Sequence, residues 1–242
     1  SKHWKPNLYK MTIPAINQPP ELLKLLAHDL RWGILKSLST SDHRVQELVS
    51  LVNEPMNLVS YHLKKLREDG IVTTRRSEAD GRDIYYSLDI GKLRDLFQAA
   101  GAALHPGIVN NKALEPMPKT SRQLKVLFVC THNSARSQMA EALLRYRAGA
   151  RMAVSSAGSE PTTLHPDAIS TMDRLGIDIR GQHSKSLQDF DGQAFDYVIT
   201  VCDRAREVCP TFPGQSEYLH WGFADPAIIE DGNERRRVFA QI

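Results

Sequence analysis

Apolar positions follow two rhythms along the chain, and the rhythm changes near the middle. Over residues 20–39, Leu22, Leu23, Leu25, Leu26, Leu30, Ile34, Leu35 and Leu38 recur at the three- and four-residue spacing of a helix with one buried face. A shorter helix is expected over 44–52, ended by Pro55. Another is expected over 57–69, stopped by Gly70 as a C-terminal glycine stops a helix. Residues 71–76 and 84–88 predict two strands about Asp80-Gly81, a dipeptide suited to hairpin turns. A last helix over 91–103 completes an α+β winged helix-turn-helix, placed at residues 15–103.

Pro106-Gly107, Asn110-Asn111, Pro116, Pro118 and Thr120-Ser121 then end all periodicity, so 104–123 predicts a linker. Beyond it, strand patterns at 125–129, 152–157, 197–201 and 218–220 alternate with helical patterns at 134–148, 166–175, after Asp203 and from 233 onward. Strand–helix alternation predicts an α/β domain over 124–242, a four-stranded parallel sheet covered by helices.

Length and composition narrow this picture without changing it. The 242 residues suffice for two domains, each with its own core. No apolar run approaches the roughly 20 residues that span a bilayer, so neither a membrane span nor a secretory signal is expected. Lys and Arg outnumber Asp and Glu by 17 to 13 over residues 1–119 but stand at 14 to 15 over 120–242. The positive excess lies in the first half and points to a polyanion partner there. Only Cys130, Cys202 and Cys209 carry thiols. Their spacing makes no disulfide framework and implies catalytic thiols in a reducing cytoplasm.

On the helix over 57–69, Val59, Leu63 and Leu66 share an inward face, leaving Asn57, Ser60, Tyr61, Lys64 and Lys65 directed mainly elsewhere. Such a helix fits a DNA major groove, with Arg75, Arg76 and Arg82 flanking the hairpin to grip phosphates. On charge alone, a solvated basic helix explains the same residues equally well. The combination Leu26-Ala27-His28-x-x-Arg31, Ser60-x-His62-Leu63 and Gly70-Ile71-Val72 followed by a wing resembles the ArsR family of winged-helix repressors over about residues 20–100. That resemblance implies a homodimer formed through this domain and reading a palindrome in double-stranded DNA. Arsenite sensing by clustered thiolates in this half is excluded, because no cysteine precedes Cys130. His28, His43, His62 and His105 are too scattered to define a metal site, and none is assigned.

In the second half, Val126-Leu127-Phe128-Val129 leads directly into Cys130-Thr131-His132-Asn133-Ser134-Ala135-Arg136-Ser137. A strand running into such a loop and then a helix turns backbone N–H groups of Thr131 through Ser137 toward a tetrahedral anion. Arg136 adds a bidentate fork. The same positive field is expected to lower the Cys130 pKa, with Ser134 and Ser137 as hydroxyl donors to the thiolate. Asn133 suits a left-handed turn.

This loop together with Asp225-Pro226 resembles the low-molecular-weight tyrosine phosphatase fold. More narrowly, Val201-Cys202, Cys209-Pro210 and His220-Trp221-Gly222-Phe223-Ala224-Asp225-Pro226-Ala227 resemble the thioredoxin-coupled arsenate reductases built on it. The resemblance implies arsenate as substrate, with phosphate or sulfate able to occupy the loop. Cys130 is then the nucleophile, Asp225 the proton donor, and Cys202 and Cys209 successive partners in a thiol–disulfide relay. It implies no tightly bound cofactor and thioredoxin as external reductant. Some relatives bind potassium near the loop, but no residue here establishes that site. Ala135 stands where relatives often have cysteine, and His132 where they often have glycine. Ala227 and Ile228 replace the aromatic residues expected of a phosphotyrosine enzyme. Two alternatives stay open: a regulator whose phosphatase-like domain senses oxyanion or redox state, and a low-molecular-weight tyrosine phosphatase. Helical periodicity continues at Ile242, where relatives of this resemblance usually extend further.

Overall fold

The structure is a computed structural model that describes residues 19–109 and 122–242. Residues 15–18 of the expected first domain and most of the expected linker lie outside the described residues. In the first half, α1 (Glu21–Leu26), α2 (Asp29–Leu38), α3 (Val45–Val52) and α4 (Met56–Glu68) precede a hairpin and α5 (Ile90–Leu104). The hairpin strands are β2 (Val72–Arg76) and β3 (Ile84–Leu88), and β1 (His43–Arg44) pairs antiparallel with β3.

The single helix expected over 20–39 is two helices. His28 is extended (φ −105°, ψ 120°) and its Nδ1 accepts the Leu30 N–H at 3.2 Å, capping α2 and breaking the run. The two-residue β1 is too short to leave an alternating pattern and was not expected. Ile34, Leu38, Leu48, Val59, Leu63, Leu66 and Ile71 form the core of this half.

In the second half the order is β4 (Leu124–Cys130), α6 (Arg136–Ala148), β5 (Met152–Gly158), α7 (Pro166–Arg174), β6 (Tyr197–Thr200), α8 (Asp203–Val208), β7 (Glu217–His220) and α9 (Gly232–Phe239). Among the described residues these strands form a four-stranded sheet in the order β5-β4-β6-β7, every pair parallel. Burial on both faces explains why β4 is a continuous apolar run rather than an alternating one, with Val126, Leu127, Phe128 and Val129 at its centre. Chain connections leave β4 toward β5 on one side and run from β6 to β7 on the other. The crevice at the carboxyl ends of β4 and β6 is therefore a topological switch point, where α/β sheets bind ligands. Cys130 ends β4 at that crevice. Among the described residues no helix is long and apolar enough to cross a membrane.

Candidate active site and its contact with the wing

Between β4 and α6 the chain makes a tight loop whose shape depends on two residues. Asn133 has a left-handed backbone (φ 45°), the conformation its short amide side chain tolerates. Gly158, at the end of β5, lies beneath the loop. A Cβ there would come within 2.6 Å of the Thr131 carbonyl oxygen and 2.9 Å of the Asn133 nitrogen. The loop closes around Cys130: the Asn133 N–H donates to Cys130 Sγ at 3.0 Å, and Ser137 Oγ lies 2.8 Å from the same sulfur. Ser134 makes no such contact; its carbonyl accepts the His165 N–H. α6 begins at Arg136, two residues later than expected, because 131–135 are spent on the loop.

Cys202 is buried against this loop, its Sγ 3.3 Å from Thr131 Oγ1. It stands at the N-cap position of α8, and half-buried Cys209 stands at the C-cap position. Asp225 opens a short 3-10 turn and its Oδ1 accepts the Ala227 N–H. Its Oδ2 accepts from Arg136 Nη2 at 2.7 Å. The fold thus brings Cys130, Thr131 through Ser137, Cys202 and Asp225 to one place, with Cys209 at the far end of α8.

The expected lowering of the Cys130 pKa is not found. Burial pushes the thiol above its ordinary value. The Ser137 hydroxyl, the Arg136 guanidinium and the Asn133 N–H pull downward without overcoming it, and neighbouring Cys202 adds to the rise. The positive charge counted on for the lowering is already engaged, since Arg136 pairs with two carboxylates, Asp225 and Glu78. Cys209 is pushed up to about 11 by burial.

Glu78 belongs to the first half, at the tip of the wing. Its Oε2 lies 3.2 Å from Arg136 Nη1, which also donates to the Phe223 carbonyl, and its Oε1 accepts the Asp225 N–H at 2.9 Å. Neighbouring contacts extend this junction. Arg75 donates to both carboxylate oxygens of Asp203, the first residue of α8, at 2.6–2.7 Å, and the Glu78 N–H donates to the same carboxylate. Asp203 is fully buried. Burial would raise its pKa, but His220, Arg75 and the Glu78 N–H hold it well below the usual carboxylate range. Arg206, further along α8, pairs with Glu47 of α3 at 2.6 Å. The Trp221 indole donates to the Thr40 carbonyl, and the Gly222 N–H to Asp42.

The DNA-reading assignments divide accordingly. Asn57, Ser60, Tyr61, Lys64 and Lys65 lie on the exposed face of α4, opposite buried Val59, His62, Leu63 and Leu66. Arg76 and Arg82 are exposed on the hairpin, Arg82 paired with Asp80. Arg75 is the correction: it faces the second half rather than solvent, because buried Asp203 outcompetes water for its guanidinium. Glu78 was missed altogether. The hairpin sequence carries no signal for it, because Glu78 is one of three acidic residues, with Asp80 and Asp83, among the three arginines of the wing. Among the described residues no group of three or more His, Cys, Asp or Glu side chains is placed to hold a metal ion.

Comparison with known proteins fits this geometry. Residues 125–236 match the family described as low molecular weight phosphotyrosine protein phosphatase, and residues 28–74 match bacterial regulatory proteins of the arsR family. An arsenate reductase of Halalkalibacterium halodurans is 41% identical over 118 residues, 48% of this chain and 85% of that protein. A glutaredoxin arsenate reductase of Synechocystis sp. is 39% identical over 102 residues, 42% of this chain and 78% of that protein. The solved thioredoxin-dependent arsenate reductase of Corynebacterium glutamicum aligns at 34% identity and a TM-score of 0.38, covering 62% of this chain and 70% of that one. Through residues 125–236 the chain belongs to the low molecular weight phosphotyrosine protein phosphatase family, among relatives named arsenate reductases, and it carries an arsR-family regulatory segment at residues 28–74.

Proposed function

We propose that the second half reduces arsenate to arsenite by a three-thiol relay, fused to a DNA-binding half that reads operator DNA as a homodimer. The observation that carries the enzymatic reading is the placement of Cys202 against the Cys130 loop, with Cys209 one short helix away. Arsenate sits in the loop, its oxygens held by backbone N–H groups and Arg136. Cys130 thiolate attacks arsenic, and Asp225 protonates the departing oxygen, which leaves as water. Cys202 thiolate then attacks Cys130 sulfur. The S–S bond forms, the S–As electron pair passes to arsenic, and arsenite leaves in the trivalent state. Cys209 attacks Cys202 sulfur, shifts the disulfide to Cys202–Cys209 and returns Cys130 as a thiolate. An external dithiol, thioredoxin in our reading, reduces that disulfide in the cytoplasm. No tightly bound cofactor enters these steps.

The DNA-binding reading rests on the exposed face of α4 with Asn57, Ser60, Tyr61, Lys64 and Lys65, and on Arg76 and Arg82 of the hairpin. A tyrosine phosphatase is disfavoured by Ala227 and exposed Ile228 beside Asp225, where no aromatic clamps a substrate ring.

The test is arsenate-dependent NADPH oxidation with thioredoxin and its reductase, and in parallel with a glutaredoxin system, comparing the parent with Cys130→Ser, Cys202→Ser and Cys209→Ser. Turnover in the parent with loss in each variant is expected. Hydrolysis of a phosphotyrosine analogue without arsenate reduction would overturn the reading.

A further inference from the structure

Glu78 and the loop meet in a way that neither half requires for its own fold. The wing turn is held internally: Ser77 N–H donates to the Asp83 carbonyl, and Ser77 Oγ accepts from the N–H groups of Ala79 and Asp80. That leaves the Glu78 carboxylate to project out of its own half. Its two oxygens take an Arg136 N–H and the Asp225 backbone N–H. The Arg136 guanidinium that Glu78 occupies is the one side-chain cation this loop offers an oxyanion, and the Asp225 N–H beside it steadies the carboxylate. We propose that Glu78 is a built-in competitor for the oxyanion site, so that oxyanion binding and docking of the wing exclude one another. This rests on reading the loop at Cys130–Ser137 as an oxyanion site.

Three features make the contest direct. Arg136 is almost fully buried, and both hydrogens of its Nη1 are committed, one to the Phe223 carbonyl and one to Glu78. Re-aiming the guanidinium at an oxyanion withdraws the charge that holds Glu78. A dianion seated on Arg136 would also lie within roughly 6 Å of the Glu78 carboxylate, and like charges at that distance repel. Finally, Glu78 is tied to α8 through its own N–H on Asp203, so its departure loosens the Arg75–Asp203 pair beside it.

The coupling is reciprocal by necessity. Oxyanion frees the hairpin that carries Arg75, Arg76 and Arg82, and a partner that captures the free hairpin opens the loop. The winged half has no thiol, so the signal it receives in this arrangement is the oxyanion itself rather than a thiol-bound product.

The experiment uses the full chain with inorganic phosphate as probe, which needs no redox step. Phosphate affinity is measured by calorimetry for the parent, Glu78→Gln and Glu78→Ala, and amide hydrogen exchange over residues 77–83 is followed with and without phosphate. Both variants are expected to bind phosphate on the order of tenfold more tightly than the parent. In the parent, phosphate should accelerate exchange of the Glu78 amide while leaving the β2–β3 ladder amides protected. Equal affinity in parent and variants, phosphate binding with no change over 77–83, or no binding in any of the three would each overturn the proposal. Loss of arsenate turnover alongside the expected phosphate result would sink the reductase reading and leave this coupling standing.

Discussion

Asn133 is the residue on which most of the loop converges. It is fully buried, and its N–H serves Cys130 Sγ. Its amide nitrogen donates to Ser137 Oγ and Ser156 Oγ, both at 2.8 Å, while its amide oxygen accepts the Lys185 N–H and Gln138 Nε2. Ser156 in turn donates to buried Glu141, which also pairs with Lys185 and Arg145. One side chain thus sets the direction of the hydroxyl beside the nucleophile and joins the loop to β5 and α6. Removing it strands the Lys185 N–H, at about 1–3 kcal/mol, while Ser137, Ser156 and Gln138 keep other partners. Ala at φ 45° adds about 1 kcal/mol of backbone strain. Asn133→Ala is expected to cost about 3 kcal/mol in urea unfolding and to lower arsenate turnover by more than tenfold. Asn133→Gly separates the two terms, since glycine carries no left-handed strain. It should recover the strain alone and remain defective in turnover. Full activity in Asn133→Gly would show that the backbone conformation, not the amide network, is what the site needs.

At the scale of elements, α8 does two things at once. Its ends are Cys202 and Cys209, and its body presents Asp203 to Arg75 and Arg206 to Glu47. Seven residues at 1.5 Å per residue separate the two cysteine Cα atoms by roughly 10 Å if the helix persists. A disulfide tolerates only about 4.4–6.8 Å. The relay proposed above therefore requires α8 to open, and opening also exposes Cys209, whose thiol burial holds at about 11. The expected outcome is specific: oxidation raises exchange of the Arg206 amide, which donates to the Cys202 carbonyl in the reduced helix. Cys209→Ser under the same oxidant should leave that amide protected. Protection retained in oxidised parent protein would contradict the relay. Elements with a strong local pattern were legible in sequence: the apolar run of β4, the consecutive loop residues, the hairpin at Asp80-Gly81 and α4. The break between α1 and α2 was not, because a histidine cap makes no hydrophobic signal. Nor was β1, whose two residues exist as a strand only through pairing with Tyr85 and Tyr86 on β3.

At the scale of the whole molecule, the two halves meet through contacts that join residues far apart in sequence, and so leave no periodic trace. Glu78 and Arg136 are 58 positions apart, Arg75 and Asp203 128, and Trp221 and Thr40 181. From their sequence neighbours alone Arg75 and Glu78 look solvent-facing, so Arg75 reads as a phosphate contact and Glu78 carries no role. The junction contains one position where it can be wedged open without removing any charge. Gly222 lies directly under Arg75, and a Cβ there would fall 1.5 Å from Arg75 Nη2 and 2.1 Å from its Cζ. The Gly222 backbone is not in the left-handed region, so alanine is accepted locally, and the strain falls on the guanidinium. Arg75 cannot yield cheaply, because its Nη1 is held by both oxygens of Asp203, its Nη2 lies against Asp42 and His220, and its face is 4.7 Å from the Tyr85 ring. Gly222→Ala should therefore lift Arg75 from Asp203, and with it the wing that carries Glu78. In small-angle scattering the variant is expected to show a larger radius of gyration than the parent at equal oligomeric state. Its phosphate affinity should move in the same direction as in Glu78→Ala. Arg75→Ala combined with Gly222→Ala removes the clash and the latch together, and should be as open as either change alone. A compact Gly222→Ala with parental phosphate affinity would mean that Glu78 stays on Arg136 without its neighbours, and that the latch on α8 and the plug on the loop act independently.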